Sequence, residues 1–176
     1  QVRRWQQLWD VNRTRELPVP ELAVRVATSV PEPLPNAVVH GDYRIGNTLV
    51  ADDAPRIAAV LDWEMGAIGD PRADVGYLLA TYAEVGAESP LGTSPVTASP
   101  GFPTRAELVE RYVERSGRQV ESLGWFEALA LWKAAVFCEA IYGRYLRGEL
   151  TEDDARAARF EDGVPALAEG AMEALG

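Results

Sequence analysis

Short β-branched runs are confined to one segment of this chain, and helical patterns occupy the rest. The runs cover residues 37–40, 47–50 and 57–62. The Asp-Asp-Ala-Pro sequence at 52–55 is typical of a turn, so the last two runs are predicted to pair as a hairpin. Such a chain can build only a small β element. We therefore predict an α+β fold that is mainly helical.

Apolar residues at helical spacing predict two helices before this segment, over 1–16 and from 21 to about 29. After it, a helix is expected over 71–83, with Asp70 capping its first N–H groups and a proline in its first position. Residues 84–103 are rich in Gly, Ser, Thr and Pro, which predicts a long flexible loop.

The rest of the chain is predicted to be helical. Thr104 and Glu107 form the pattern of a capping box, and residues 122–146 are apolar nearly all round, which indicates a central buried helix. Further helices are expected over 151–160 and 164–175. The aromatic residues of the central helix are interpreted as core: Trp125, Phe126, Trp132 and Phe137.

The chain is acidic, with a formal net charge of −10, and this disfavours nucleic acid and anionic membranes as partners. The surplus of negative charge would suit a cationic acceptor, although a solubilising surface is the simpler interpretation. Cys138 is the only cysteine, so no intrachain disulfide can form, and its apolar neighbours indicate an inert thiol. Lacking a secretory pattern or a membrane-spanning run, the chain is expected to be cytoplasmic.

Oxygen-donor side chains cluster around the predicted hairpin. Asp42 and Asn47 stand five apart on the loop before it, and Asp62 ends its second strand, so all three are expected at one end of the sheet. Such ligands suit Mg²⁺, which keeps waters and phosphate oxygens in its shell. Phosphoryl transfer needs this metal and a carboxylate that orients the acceptor hydroxyl. We assign Asp42 as base or orienter and Asn47 and Asp62 as metal ligands.

The segment His-Gly-Asp-Tyr-Arg-Ile-Gly-Asn at 40–47 resembles the H-G-D-x-x-x-x-N catalytic loop of aminoglycoside phosphotransferases and their kinase-like relatives. Asp-Trp-Glu at 62–64 resembles that family's counterpart of the kinase D-F-G motif, and residues 69–74 resemble the segment that follows it. The residues of these motifs are most similar to those of the kinase-like relatives that are associated with acyl-CoA dehydrogenases.

The resemblance implies the C-terminal lobe of a protein-kinase-like fold, with the hairpin carrying the catalytic and metal loops. It implies ATP and Mg²⁺, with Asp42 as the catalytic aspartate and Asn47 and Asp62 as magnesium ligands. It also implies that His40 braces the loop and that Asp74 holds the backbone of the loop from the following helix.

Two further charged residues are left as candidates for a supporting role. Arg44 could meet a phosphate or pair with a nearby carboxylate, and the ion pair is favoured. Glu64 could support the site or be merely exposed.

The sequence contains no G-x-G-x-x-G or G-K-[ST] motif, and Lys133 lies in the wrong context to bind the α- and β-phosphates. A missing N-terminal lobe is therefore the expected partner, and the fragment alone is expected to be inactive. In this scheme residues 1–35 lead in from that lobe, 36–83 form the catalytic core, and 104–176 form a helical acceptor-binding subdomain.

The function predicted is transfer of the γ-phosphoryl group of ATP to a hydroxyl of a small molecule. The acceptor is left open between an amino sugar, matched by acidic side chains after residue 104, and the hydroxyacyl type that the resemblance favours. A phosphoesterase is disfavoured because binuclear metal sites use several histidines and the chain has one. The alternative is a non-catalytic pseudokinase or ligand-binding lobe.

Overall fold

The computed structural model describes residues 2–86, 95–150 and 157–176. Within these ranges the fold is mainly helical, which confirms the predicted α+β class. The helices are α1 Val2–Asn12, α2 Val19–Thr28, α3 Arg72–Thr81, α4 Arg105–Ser116, α5 Leu123–Leu146 and α6 Phe160–Leu175. The strands are β1 Ala37–Val39, β2 Thr48–Val50, β3 Ile57–Val60 and β4 Ala67–Gly69, and short 3-10 helices cover Ile45–Asn47, Trp63–Met65 and Pro95–Ala98.

Backbone contacts divide the chain into two compact units, one of residues 1–30 with 128–176 and one of residues 31–127. This division differs from the segments proposed from the sequence. It places α4 in the same unit as all four strands, whereas α4 was grouped with the helices that follow it.

Two small antiparallel sheets lie in the unit of residues 31–127. β2 pairs with β3, which confirms the predicted hairpin. β1 pairs with β4, with Val39 opposite Ala67. β4 was not predicted from the sequence, and its pairing with β1 joins the segments on either side of the hairpin.

A buried ion pair marks the start of α3. The helix begins at Arg72 and ends at Thr81, slightly inside its predicted bounds. One Asp70 oxygen accepts from the Arg72 backbone N–H at 3.0 Å, and the other accepts from its guanidinium at 2.7 Å. Burial would raise the pKa of Asp70, but the hydrogen bonds from Arg72 and Leu34 hold it below its ordinary value. Arg72 also donates to the Glu32 and Glu121 carbonyls, which ties the connector before β1 to this helix.

Gly76 lets α3 approach the start of α5 closely. A Cβ added there would lie 2.6 Å from the Cβ of Phe126 and 2.8 Å from its carbonyl carbon. We expect Gly76→Ala to lower the free energy of unfolding by about 1–3 kcal/mol, because a packed backbone must shift. Gly163→Ala is the matched control, since its Cβ meets only Phe160 at 3.7 Å. The control should be neutral or stabilise by up to about 1 kcal/mol through helix propensity. Denaturant unfolding measures both, and a stabilising Gly76→Ala would contradict this packing.

The capping box predicted before α4 is present, with reciprocal hydrogen bonds between Thr104 and Glu107, and Gly117 ends the helix in the left-handed conformation. Part of the loop predicted over 84–103 is described. Thr97 is buried and hydrogen-bonds the backbone of Ala83 at both its N–H and its carbonyl. The prediction for residues 87–94 lies outside the described residues.

The other unit packs α1, α2, α6 and residues 128–146 of α5 around an apolar core. α1 ends at Asn12, four residues before its predicted end. Trp132 is fully buried and donates to the Val19 carbonyl at 3.1 Å. Phe126, in the other unit, is also buried, but Phe137 is 56% exposed, so its assignment to the core was wrong. α5 is apolar nearly all round, and its sequence therefore does not tell which side is covered.

Glu139 is the one carboxylate among the fully buried side chains of the described residues. It accepts from the Thr14 backbone and hydroxyl, each at 2.8 Å, and pairs with Arg15 at 3.1 Å. Arg15 also donates to the carbonyls of Phe160 and Glu161. The second of these lacks its helical donor because residue 165 is a proline.

α6 begins at Phe160, four residues before its predicted start. The helix predicted from Thr151 begins in residues 151–156, outside the described ranges. Burial raises the pKa of Cys138 to about 11, so this thiol stays protonated at neutral pH. None of the described helices, including the 24-residue α5, has the length and apolar composition needed to cross a bilayer.

Candidate active site

The loop of residues 40–47 connects β1 to the hairpin, and His40 braces it. The imidazole is buried, and its Nε2 lies 2.7 Å from the Leu61 carbonyl. Because a carbonyl only accepts, Nε2 must carry a proton. Nδ1 is then free to accept the Asp42 backbone N–H at 3.2 Å. The Trp63 ring packs on the imidazole, with centroids 4.7 Å apart. His40 therefore ties the loop to the end of β3.

Asp74 fixes the same loop from the first turn of α3. Its two carboxylate oxygens accept from the backbone N–H groups of His40, at 2.6 Å, and Gly41, at 2.9 Å. Gly41 has a φ of +85°, and a Cβ there would lie 2.7 Å from the Met65 carbonyl oxygen. Only glycine fits this position, because any side chain meets both a strained backbone and a fixed neighbour.

The Asp42 carboxylate is held between two neighbours on the loop. Asn47 is buried, and its Nδ2 donates to the Asp42 carbonyl at 2.8 Å and to its carboxylate at 2.7 Å. Arg44 forms an ion pair with the other carboxylate oxygen, with Nε 3.4 Å away. The structure thus shows the favoured ion pair of Arg44. Both contacts leave lone pairs of the carboxylate oxygens available to a third group.

Asp62 lies two residues after the end of β3 at Val60. Leu61, the residue before Asp62, donates its backbone N–H to the Asn47 carbonyl at 2.8 Å. The backbone next to Asp62 is therefore hydrogen-bonded to that of Asn47. Asp62 is exposed and has a φ of +67°, which is uncommon for residues other than glycine, although aspartate adopts it more readily than most. No described residue forms a hydrogen bond or ion pair with its carboxylate. The same holds for Glu64, which is exposed in the 3-10 helix that follows.

A cavity of about 510 Å³ opens beside this loop, bounded by β1, α3 and α4. Most of its surface is apolar, and three arginines contribute its positive charge. It is lined by Ala37, Val38, His40, Tyr43, Val60, Trp63, Pro71, Asp74, Val75, Leu78, Leu79, Leu108, Arg111, Tyr112, Arg115 and Arg118. None of these arginines was predicted from the sequence to lie at a site.

Much of this chain matches a known protein family. The family model described as "Phosphotransferase enzyme family" matches residues 1–108, which is more than half of the chain. The chain belongs to the phosphotransferase enzyme family. The match covers the loop of residues 40–47, Asp62, and α3 with Asp74.

The relatives of this family member include much longer proteins. It is 31% identical to acyl-CoA dehydrogenase family member 11 of Gallus gallus over 98% of its own length, but spans only 23% of that protein. It is 43% identical to viomycin phosphotransferase of Streptomyces vinaceus over 29% of its length and 18% of that protein.

A crystal structure from Ralstonia eutropha, provisionally described as an aminoglycoside phosphotransferase, shares the fold of this family member. The TM-score is 0.80 at 24% identity, over 98% of this chain and 54% of that one. The chain therefore has the kinase-like fold that the sequence motifs implied.

The oxygen-donor side chains of this family member are of the type that a hard cation binds. Asn47 directs Nδ2 to Asp42, which leaves Oδ1 as its remaining ligand atom, and the Asp62 carboxylate is not engaged by any described residue. Among the described residues, no group of three or more His, Cys, Asp or Glu could hold a metal by itself. A magnesium ion that takes most of its oxygens from water and phosphates needs no such group.

Proposed function

We propose that this chain is the catalytic lobe of an ATP-dependent phosphotransferase whose acceptor is a hydroxyl of a small molecule. The observation that carries the proposal is the Asp42 carboxylate, fixed by Asn47 on a loop whose backbone is bound by His40 and Asp74. Phosphoryl transfer depends on such positioning more than on covalent chemistry by the protein.

The acceptor hydroxyl would donate its hydrogen bond to Asp42. As the acceptor oxygen forms its bond to the γ-phosphorus, the bond from that phosphorus to the β–γ bridging oxygen breaks and ADP leaves. The acceptor proton passes to the Asp42 carboxylate. Asn47 Oδ1 and the Asp62 carboxylate would hold Mg²⁺, which neutralises charge on the phosphates when it is bound.

The remaining nucleotide contacts are proposed to come from a second lobe encoded upstream. The sequence has no glycine-rich phosphate loop, and its single lysine, Lys133, lies in α5 over the ring of Trp5. Exposed apolar residues on the hairpin, Leu49, Val50 and Ile57, offer a surface for that lobe or for the base of the nucleotide.

The test is a transfer assay on the protein that includes the upstream residues. It is incubated with ATP, Mg²⁺ and a panel of amino sugars and hydroxy acids, and mass spectrometry detects acceptors that have gained a phosphoryl group. We expect magnesium-dependent phosphorylation of one class. If nucleotide and magnesium bind without transfer to any hydroxyl, the alternative of a non-catalytic pseudokinase lobe replaces this proposal.

A further inference from the structure

One face of α4 closes the cavity beside the catalytic loop. Leu108, Arg111, Tyr112 and Arg115 recur at three- and four-residue spacing, so they share one side of the helix, and all four line the cavity. In a helix whose side only packs against a core, most of these positions would be apolar. Here two of the four are arginines, and no residue of α4 is fully buried.

The arginine charges at this cavity are poorly compensated. Arg115 forms no ion pair with any residue that the structure describes. Arg118 donates to the Pro35 carbonyl at 3.0 Å and forms no ion pair within the described ranges. Arg111 reaches Glu114 at 3.4 Å, but both side chains are mostly exposed, and such pairs contribute little.

Few carboxylates lie close enough to neutralise these arginines. Of the residues that the structure describes, Asp74 is the one carboxylate lining the cavity, and its two oxygens already accept the backbone N–H groups of the catalytic loop. The cavity thus has a net positive charge, although the chain as a whole has a net charge of −10.

The cavity also borders the reactive loop. His40 and Tyr43, on either side of Asp42 in the sequence, line it, and so does Trp63, which follows Asp62. A molecule bound there lies beside the loop that we propose to be catalytic. Its apolar part would contact the side chains of Val75, Leu78 and Tyr112.

We propose that the acceptor is an amphipathic hydroxy compound with an anionic oxygen group, either carboxylate or phosphate. This group would bind Arg115 together with Arg111 and Arg118, and the inference rests on the proposed function. Arginine binds both groups through paired N–H donors. An amino sugar would bring ammonium groups against these guanidiniums and expose its hydroxyls to an apolar wall. The same geometry thus selects against the cationic acceptor class.

The experiment is calorimetric titration of the chain, without nucleotide, using four probes of one length. They are ω-hydroxydecanoate, ω-hydroxydecyl phosphate, decanediol, and the amino alcohol in which an ammonium replaces the carboxylate. We expect the two anions to bind at least about tenfold tighter than the neutral diol, which is the effect of one charge-assisted hydrogen bond. The amine should bind most weakly, and the ratio of the two anions tells carboxylate from phosphate recognition.

Arg115→Gln should weaken binding of the anions about tenfold and leave the diol unchanged. Arg56→Gln is the matched control, because Arg56 is an exposed arginine of the same unit that lies in the hairpin turn, outside the cavity. No binding of either anion, an equal affinity for all four probes, or an unchanged Arg115→Gln affinity would overturn the inference.

The titration separates this inference from the proposed function. Anion binding that depends on Arg115, combined with no transfer to any acceptor, overturns the catalytic proposal but supports a ligand site of this chemistry. Transfer to amino sugars that depends on Asp42, with no preference for anionic probes, overturns the inference and supports the catalytic proposal.

Discussion

Asp42→Asn should reduce the rate of phosphoryl transfer by about 10²–10⁴-fold, the usual contribution of a positioned acid–base group. The substitution keeps the shape of the side chain but removes the oxygen that would receive the acceptor proton. It also sets an amide against the Asn47 Nδ2, which now donates to the carboxylate at 2.7 Å. The measurement is the mass-spectrometric transfer assay at saturating nucleotide, with circular dichroism to verify the fold.

Asp52→Asn is the matched control for this prediction. Asp52 is an exposed aspartate in the turn of the hairpin, ten residues along the chain from Asp42. Its transfer rate should equal that of the parent protein. An Asp42→Asn rate equal to the parent's would remove Asp42 from the chemistry, and the non-catalytic alternative would then be favoured.

Asp74→Ala should lower the free energy of unfolding by about 2–4 kcal/mol, because two partly buried backbone N–H groups lose their acceptor. The variant that remains folded should also lose transfer activity. The reason is that Asp74 binds the N–H of Gly41, which holds a left-handed conformation next to Asp42. Denaturant unfolding gives the first effect and the transfer assay gives the second.

Asp74→Asn should have a smaller effect on stability, because its amide keeps one accepting oxygen. Asp52→Ala should change the free energy of unfolding by less than about 0.5 kcal/mol, as is usual for exposed positions. If Asp74→Ala were as stable as Asp52→Ala, the two short hydrogen bonds to the loop would not contribute as described.

The parts of the site predicted from sequence are those that local spacing determines. The turn at 52–55 is adjacent to both strands of the hairpin, so the pairing of β2 with β3 followed from neighbouring residues. The positions of Asp42 and Asn47 on one short loop followed in the same way. Their hydrogen bond is a contact across five residues.

β4 was missed because its evidence is not local. It is three residues long, ends in glycine, and pairs with β1 across about thirty residues of chain. Three residues are too few to show the alternation by which a strand is recognised.

The cavity arginines were missed for a different reason. Arg111 and Arg115 look like ordinary charged residues of a surface helix, and the face they occupy is visible only through Leu108 and Tyr112. The spacing shows that these four residues share a side of α4, but not that a space lies beneath them. The one signal in the sequence is that Arg111 and Arg115 are charged residues at positions on the apolar side of α4.

Magnesium-dependent nucleotide binding tests the central claim most directly. It is measured by calorimetry on the protein that carries the proposed second lobe and on its variants Asp62→Ala and Asp52→Ala. We predict that ATP binds only with Mg²⁺, that Asp62→Ala weakens this binding at least about tenfold through loss of a charged ligand, and that Asp52→Ala leaves it unchanged. Binding that ignores magnesium, or an Asp62→Ala affinity equal to the parent's, would contradict the proposal that these residues form the catalytic lobe of a phosphotransferase.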